Sequence, residues 1–125
     1  MINEAIKKAS ELPYISNQTR LYAIVTDKKG RVIAEGANSY TKTHPIQFHY
    51  AQKVNREEAI FLHAEMNAII RCVRSSNRCK PYAIYVARVT HNNEPAMAKP
   101  CEICEEAIKE AGIKRVYYTT FDSSF

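Results

Sequence analysis

His63-Ala64-Glu65-Met66-Asn67-Ala68-Ile69-Ile70 and Pro100-Cys101-Glu102-Ile103-Cys104 are the two stretches on which the reading of this chain turns. One neutral imidazole, His63, and two thiolates, Cys101 and Cys104, would fill three positions of a tetrahedral Zn²⁺ site. The fourth position stays open, which a catalytic site needs and a structural site does not. Such an ion lowers the pKa of a water it holds to roughly 7. Glu65, which no ligand count requires, is then free to carry protons.

Both stretches carry signs of a helix start. Pro100 suits a first helical turn, because its ring presets φ and its missing N–H would have had no partner there. Cys101 and Cys104, three apart, share a helix face, and the positive end of the helix dipole favours their thiolate forms. His63 and Glu65 are two apart and would diverge deep inside a helix; at the first turn they can converge on the metal.

Other readings of these residues explain less. Four cysteines could form disulfides, but Met1-Ile2-Asn3-Glu4 lacks the apolar core of a secretion signal, so a reducing, cytoplasmic setting is expected. Metal binding therefore outranks a disulfide for Cys101 and Cys104. A closed structural site would need a fourth ligand, for which Cys79 and His91 are the nearby candidates. A dithiol redox role leaves His63 and Glu65 unexplained. Cys72 reads as a small buried hydrophobe and Cys79 as a loop thiol.

With 125 residues the chain is expected to be one domain, residues 1–125, with no apolar run of about 20 residues to span a membrane. Lys plus Arg number 18 against 13 Asp plus Glu, a net charge of +5 that suits an anionic partner, whether a nucleotide phosphate or a polynucleotide. The basic residues form no dense cluster, so a solvated basic surface explains them equally well.

Hydrophobic spacing gives an alternating α/β plan. Ile2, Ala5, Ile6, Ala9 and Leu12 predict an amphipathic helix from about Asn3 to Leu12 whose apolar stripe covers a sheet. Leu21 to Thr26 and Arg31 to Gly36, joined by Asp27-Lys28-Lys29-Gly30, predict a β-hairpin. Asn38 to Tyr50, polar and carrying His44-Pro45, reads as a loop. A helix carrying Glu65 should run to about Arg74 with Met66, Ile69, Ile70 and Val73 toward the core. It starts either at an Asn55-Arg56-Glu57-Glu58 cap or near His63. Tyr82 to Val89 reads as a buried strand, Cys101 to Ala111 as a helix ended by Gly112, and Lys114 to Thr120 as a last strand.

This order of elements, with His63-Ala64-Glu65 and Pro100-Cys101-x-x-Cys104 in their places, resembles the zinc-dependent cytidine deaminase superfamily. His63-Ala64-Glu65-Met66-Asn67-Ala68-Ile69 and Ala111-Gly112-Ile113-Lys114-Arg115-Val116-Tyr117-Tyr118 most resemble its deoxycytidylate deaminase branch. The resemblance implies a three-layer α/β fold with a central mixed sheet of about four to five strands flanked by helices. It implies Zn²⁺ on His63, Cys101 and Cys104, and Glu65 as proton shuttle. It places Asn38, in Glu35-Gly36-Ala37-Asn38, against the substrate's sugar or base, and the backbone N–H of Ala64 against the base. Asn38 also reads simply as a turn residue.

The implied activity is that of a hydrolase acting on a cyclic amidine C–N bond, converting a cytosine nucleotide or nucleoside, dCMP foremost, to its uracil product and ammonia. The alternative substrate is a base within a polynucleotide, either adenosine in tRNA or cytosine in single-stranded DNA or RNA. A zinc-stabilised binding module would have no use for Glu65. His44 and Lys42 lie where a loop could meet sugar or phosphate. Tyr40, Phe48 and Tyr50 either stack a base or pack the loop down. Only five residues follow Thr120, whereas longer relatives add a helix and a strand; a reduced sheet, or an edge covered in a homo-oligomer, is expected.

Overall fold

The computed structural model describes residues 1–14, 19–39, 45–53, 63–75 and 80–120, and within these it leaves the side chains of Phe48, Ala51, Arg74 and Ser75 undescribed. The elements are α1 (Ile2–Ser10), β1 (Arg20–Thr26), β2 (Val32–Ala37), α2 (Pro45–Lys53), α3 (Ala64–Ser75), β3 (Ala83–Val89), β4 (Pro95–Ala96), α4 (Glu102–Glu110) and β5 (Arg115–Tyr118).

The sheet is mixed and has five strands. β1 lies between β2 and β3 and is antiparallel to both, with Ile24 opposite Glu35 on one side and Tyr85 on the other. β3 pairs on its far side with two strands: with β5 in parallel, Ile84 opposite Val116, and with the short antiparallel β4 near Val89. A parallel neighbour needs a crossover, and α4 is that crossover.

Alternation of side chains divides the core between the two faces. Ala23, Val25, Ile84 and Val86 point to one face, where Met66, Ala68 and Ile69 of α3 and Ile103 and Ala107 of α4 meet them. Ile24, Ala87 and Val89 point to the other, where Ala5 and Ala9 of α1 close on them. Helix, sheet and helix pair make the three layers expected. The C-terminal end of α1 is held by the buried Arg20, whose guanidinium donates to Ser10 O at 3.1 Å, Leu12 O at 3.3 Å and Asn93 Oδ1 at 2.9 Å. A cation at that end also complements the helix dipole.

The hairpin, α1, β3, α4 and β5 fall where their patterns predict. Gly112 follows α4 at φ +80°, the left-handed value that ends a helix and that glycine adopts without strain. Three sequence expectations are corrected. The polar stretch read as a loop contains α2, a helix with Pro45 as its first residue. Val73 has 68% of its surface exposed, although it continues the stripe of Met66, Ile69 and Ile70. It borders an open groove of about 490 Å³ whose other lining residues include Ile46 of α2, Ala107 and Glu110 of α4, and Ala111, the residue that caps α4. Finally, Pro100 lies outside α4, whose cap is Cys101. The Asn55 cap lies outside the described residues, but α3 begins at Ala64 with His63 non-helical, so no continuous helix runs through the motif.

β2 and α3 meet closely. Asn67 Nδ2 donates to Ala37 O at 2.9 Å, and a Cβ placed on Gly36 would lie 2.7 Å from Asn67 Cγ and 2.9 Å from Asn67 Cβ. Asn67 also accepts from Arg71 Nε at 3.1 Å, so it has little room to yield. Gly36→Ala is therefore expected to destabilise the protein by about 1–3 kcal/mol, read as a lowered urea midpoint at unchanged slope.

Candidate metal centre and active site

The site forms at the end of the sheet where β2, β3 and β5 finish. The segment entering α4 is fastened there by Ala98 N–H, which donates to Thr119 O at 2.9 Å. The buried Thr119 adds two bonds: its Oγ1 donates to Ala96 O at 2.6 Å and accepts from Arg88 N–H at 3.1 Å. Cys101 thus arrives at the carboxyl end of the parallel pair, the usual location of sites in crossover folds.

Cys101 caps α4 in an extended conformation, φ −74° and ψ 172°, and its carbonyl accepts the first helical bond, from Glu105 N–H at 2.8 Å. Cap residues commonly turn a side-chain oxygen onto the helix's own amides. Cys101 offers a sulfur in that place, and the Cys104 amide of the same turn supports its thiolate form. The sulfur also faces His63, with Cys104, fully buried, one turn further on.

α3 opens in the same manner. His63 stands immediately before Ala64, and its carbonyl accepts Asn67 N–H at 2.9 Å. Its Nδ1 lies 3.3 Å from Cys104 Sγ and 3.4 Å from Cys101 Sγ. A tetrahedral zinc ion with Zn–S of about 2.3 Å and Zn–N of about 2.0 Å separates its nitrogen and sulfur ligands by about 3.5 Å. The donor set and its spacing therefore fit one such ion. Among the described residues no fourth protein group joins the three, whose donor atoms all lie within 4.8 Å of one another. That leaves room for a further ligand.

Two helix N-termini point their positive ends at this cluster, which favours negative charge on sulfur. Cys101 is the thiolate of the pair: the Cys104 thiol donates to it, His63 adds to the effect, and its pKa falls to about 3 against the opposing cost of burial. Cys104 is pushed up, because it is the donor to Cys101 and because it is buried. A divalent cation would take the place of that shared proton.

Glu65, one residue into α3 from Ala64, is 4% exposed. Burial raises the pKa of its carboxyl, opposed by a hydrogen bond from its own backbone N–H, by His63 and by the Cys104 thiol. A buried carboxyl beside a metal cluster, with its affinity for protons raised, is equipped to accept and return them.

The other residues singled out from sequence are dispersed. Asn38 follows β2 at the same end of the sheet, where Oδ1 accepts Leu21 N–H at 3.0 Å and Nδ2 donates to Thr19 O at 3.0 Å. Its amide therefore ties the start of β1 to the end of β2. Ala64 is buried, and its N–H is among the first amides of α3, which lack partners within the helix. His44, Lys42 and Tyr40 lie outside the described residues, as does Cys79. His91 is exposed in the turn after β3, its ring against Tyr14, and does not join the cluster. Cys72 is buried in the core as expected. Tyr50 packs: its hydroxyl donates to Glu110 Oε2 at 2.5 Å.

Sequence reasoning missed Gln47. It is fully buried in the first turn of α2, and its Oε1 accepts the His63 N–H at 2.7 Å. Pro45 was the available signal, since proline favours the first position of a helix.

Comparison with known proteins agrees with this geometry. Residues 1–120 match the family model described as the cytidine and deoxycytidylate deaminase zinc-binding region. The tRNA-specific adenosine deaminase of Rickettsia bellii (strain RML369-C) is 28% identical over 124 residues, covering 98% of this chain and 69% of that protein. Among solved structures, the apo dCMP deaminase of cyanophage S-TIM5 superposes with a TM-score of 0.59 at 24% identity, over 94% of this chain and 80% of that one. The cytidine deaminase of Burkholderia pseudomallei gives a TM-score of 0.59 at 21% identity, over 97% and 83% of the two chains. At such identities the superpositions speak for the fold, which is the one the sequence implied. The chain belongs to the zinc-binding cytidine and deoxycytidylate deaminase family and is a zinc-dependent hydrolytic deaminase.

Proposed function

We propose that this deaminase acts on the exocyclic amino group of a cytosine nucleotide or nucleoside, dCMP foremost, with His63, Cys101 and Cys104 as zinc ligands and Glu65 as proton carrier. The observation that carries the chemistry is the buried Glu65 carboxyl beside three converging metal donors. The choice of dCMP is supported by the sequences His63-Ala64-Glu65-Met66-Asn67-Ala68-Ile69 and Ala111-Gly112-Ile113-Lys114-Arg115-Val116-Tyr117-Tyr118, which resemble the deoxycytidylate branch.

Zinc, when bound, supplies the Lewis acidity that makes hydroxide available from water near neutral pH. The remaining work falls to the chain. A Glu65 carboxylate oxygen takes the proton that the attacking water releases and passes it to N3 of the ring as the new C4–O bond forms. A second proton, lost from that oxygen, returns through Glu65 to the amino nitrogen. The C4–N bond then breaks, leaving the uracil product and ammonia. Burial raises the affinity of the carboxyl for protons, which supports its taking one from the water before passing it on.

Ala64 N–H, at the start of α3, is placed in this reading against the base. Asn38 contacts the sugar or base while its amide also holds β1, and His44 contacts sugar or phosphate. The reading also includes a cytoplasmic setting and self-association of subunits. No helix among the described residues is long and apolar enough to cross a membrane.

A second reading, deamination of adenosine within tRNA, is favoured by the relative from Rickettsia bellii, whose identity spans nearly the whole chain. Salt separates the two. Binding to a polynucleotide that contacts several phosphates weakens steeply with salt, while binding of a free nucleotide changes little.

Ammonia release over dCMP, CMP, deoxycytidine, cytidine and tRNA, at two salt concentrations, is expected to be greatest with dCMP. Turnover of tRNA alone would transfer the protein to the second reading. In Glu65→Gln the zinc content should stay at the wild-type level while kcat falls by about 10²-fold or more. Stripping the metal with a chelator should abolish turnover and lower the melting temperature, with both restored by added Zn²⁺.

A further inference from the structure

The aim of the His63 ring is set by its main chain, and half of that main chain is held from another helix. The His63 carbonyl is taken by Asn67 N–H of α3 at 2.9 Å, and the His63 N–H by Gln47 Oε1 of α2 at 2.7 Å. With both peptide groups fixed, only two side-chain torsions remain to bring Nδ1 to the sulfur pair. Gln47 is fully buried, an unfavourable location for a carboxamide unless its hydrogen bonds are made.

The same helix reaches the other half of the cluster. Tyr50 and Lys53 of α2 bond to Glu110 of α4, at 2.5 Å to Oε2 and 2.6 Å to Oε1. α2 therefore touches both the helix that His63 opens and the helix that carries the two cysteines. The Lys53–Glu110 pair is exposed on both sides, and such pairs contribute little on their own. The buried bond from Gln47 is the stronger hold.

We infer that Gln47 is a positioning residue of the metal centre, locking the His63 backbone so that its imidazole meets Cys101 and Cys104. This rests on the reading that those three residues hold zinc. Residues that orient metal ligands without touching the metal commonly govern affinity as well as activity. Gln47→Met removes the acceptor at similar volume, and Gln47→Glu keeps an acceptor oxygen in the same place.

The test is titration of metal-free wild type, Gln47→Met and Gln47→Glu with Zn²⁺ against a chelating indicator, and with Co²⁺ followed by its visible spectrum. Wild type is expected to bind one Zn²⁺ per chain. Gln47→Met should bind it about 10- to 100-fold more weakly, with an altered Co²⁺ spectrum and a kcat reduced more than KM is raised, while Gln47→Glu stays within about threefold of wild type. Wild-type zinc affinity and an unchanged Co²⁺ spectrum in Gln47→Met, with only its melting temperature lowered, would overturn the inference. Equal weakening in Gln47→Glu would do the same. A wild type that binds no zinc instead removes the underlying metal reading, which is a separate result. Should Gln47→Met fail to fold, amide hydrogen exchange of wild type decides: slow exchange at the His63 N–H supports the inference, and exchange at the rate of an unstructured chain overturns it.

Discussion

The meeting of His63 Nδ1 with two cysteine sulfurs, at 3.3 and 3.4 Å, joins parts of the chain that are far apart in sequence, and much of the fold is arranged around it. Three electron-rich donors at such distances repel one another unless protons or a cation lie between them. The Cys104 thiol supports a thiolate on Cys101, and the positive ends of α3 and α4 converge on the group. A divalent cation satisfies the same electrostatic demand more completely, and a tetrahedral ion matches the spacing. Only a burial this complete would let Glu65 sit beside the cluster with its carboxyl pKa raised.

Holding such an arrangement open takes support from outside it. The parallel pairing of β3 and β5 forces α4 into a crossover, and Thr119 fastens the segment that leads into it. Asn67, packed over Gly36, ties α3 to the end of β2, so that the helix opened by His63 is in register with the strand that ends beside Asn38. α2 braces the third side. Stability and chemistry thus share residues: Asn67 and Thr119 donate or accept bonds that any fold would use, yet each fixes the approach of one half of the cluster.

How much of this was legible in the sequence depended on how narrowly each feature constrains residue type. The convergence of His63, Cys101 and Cys104, with the buried Glu65 beside them, was readable because few side chains suit the roles proposed for them and each short motif sits at the start of a helix. Strands β1 and β3 were readable from the apolar runs Ala23-Ile24-Val25 and Ala83-Ile84-Tyr85-Val86, largely buried on both faces, and β2 from Val32-Ile33-Ala34 after the Asp27–Gly30 turn. α2 was not readable by pattern, because the polar Gln47 is fully buried in it and its aromatic residues do not recur on one stripe. Its helical form comes from contacts with α4 and with His63, which no local window contains. Val73 misled for the opposite reason: its spacing is right, but it lies on an open groove and stays exposed. The roles of Asn38 and Ala64 toward a substrate came from resemblance, and what geometry adds is their place at the same end of the sheet.

The most direct test of the central claim is X-ray absorption at the zinc edge of the zinc-loaded protein. The account predicts two sulfur ligands at about 2.3 Å and two nitrogen or oxygen ligands at about 2.0–2.2 Å, one of the latter from imidazole and the other from exchangeable solvent. A shell of three or four sulfurs, or one without sulfur, would contradict it.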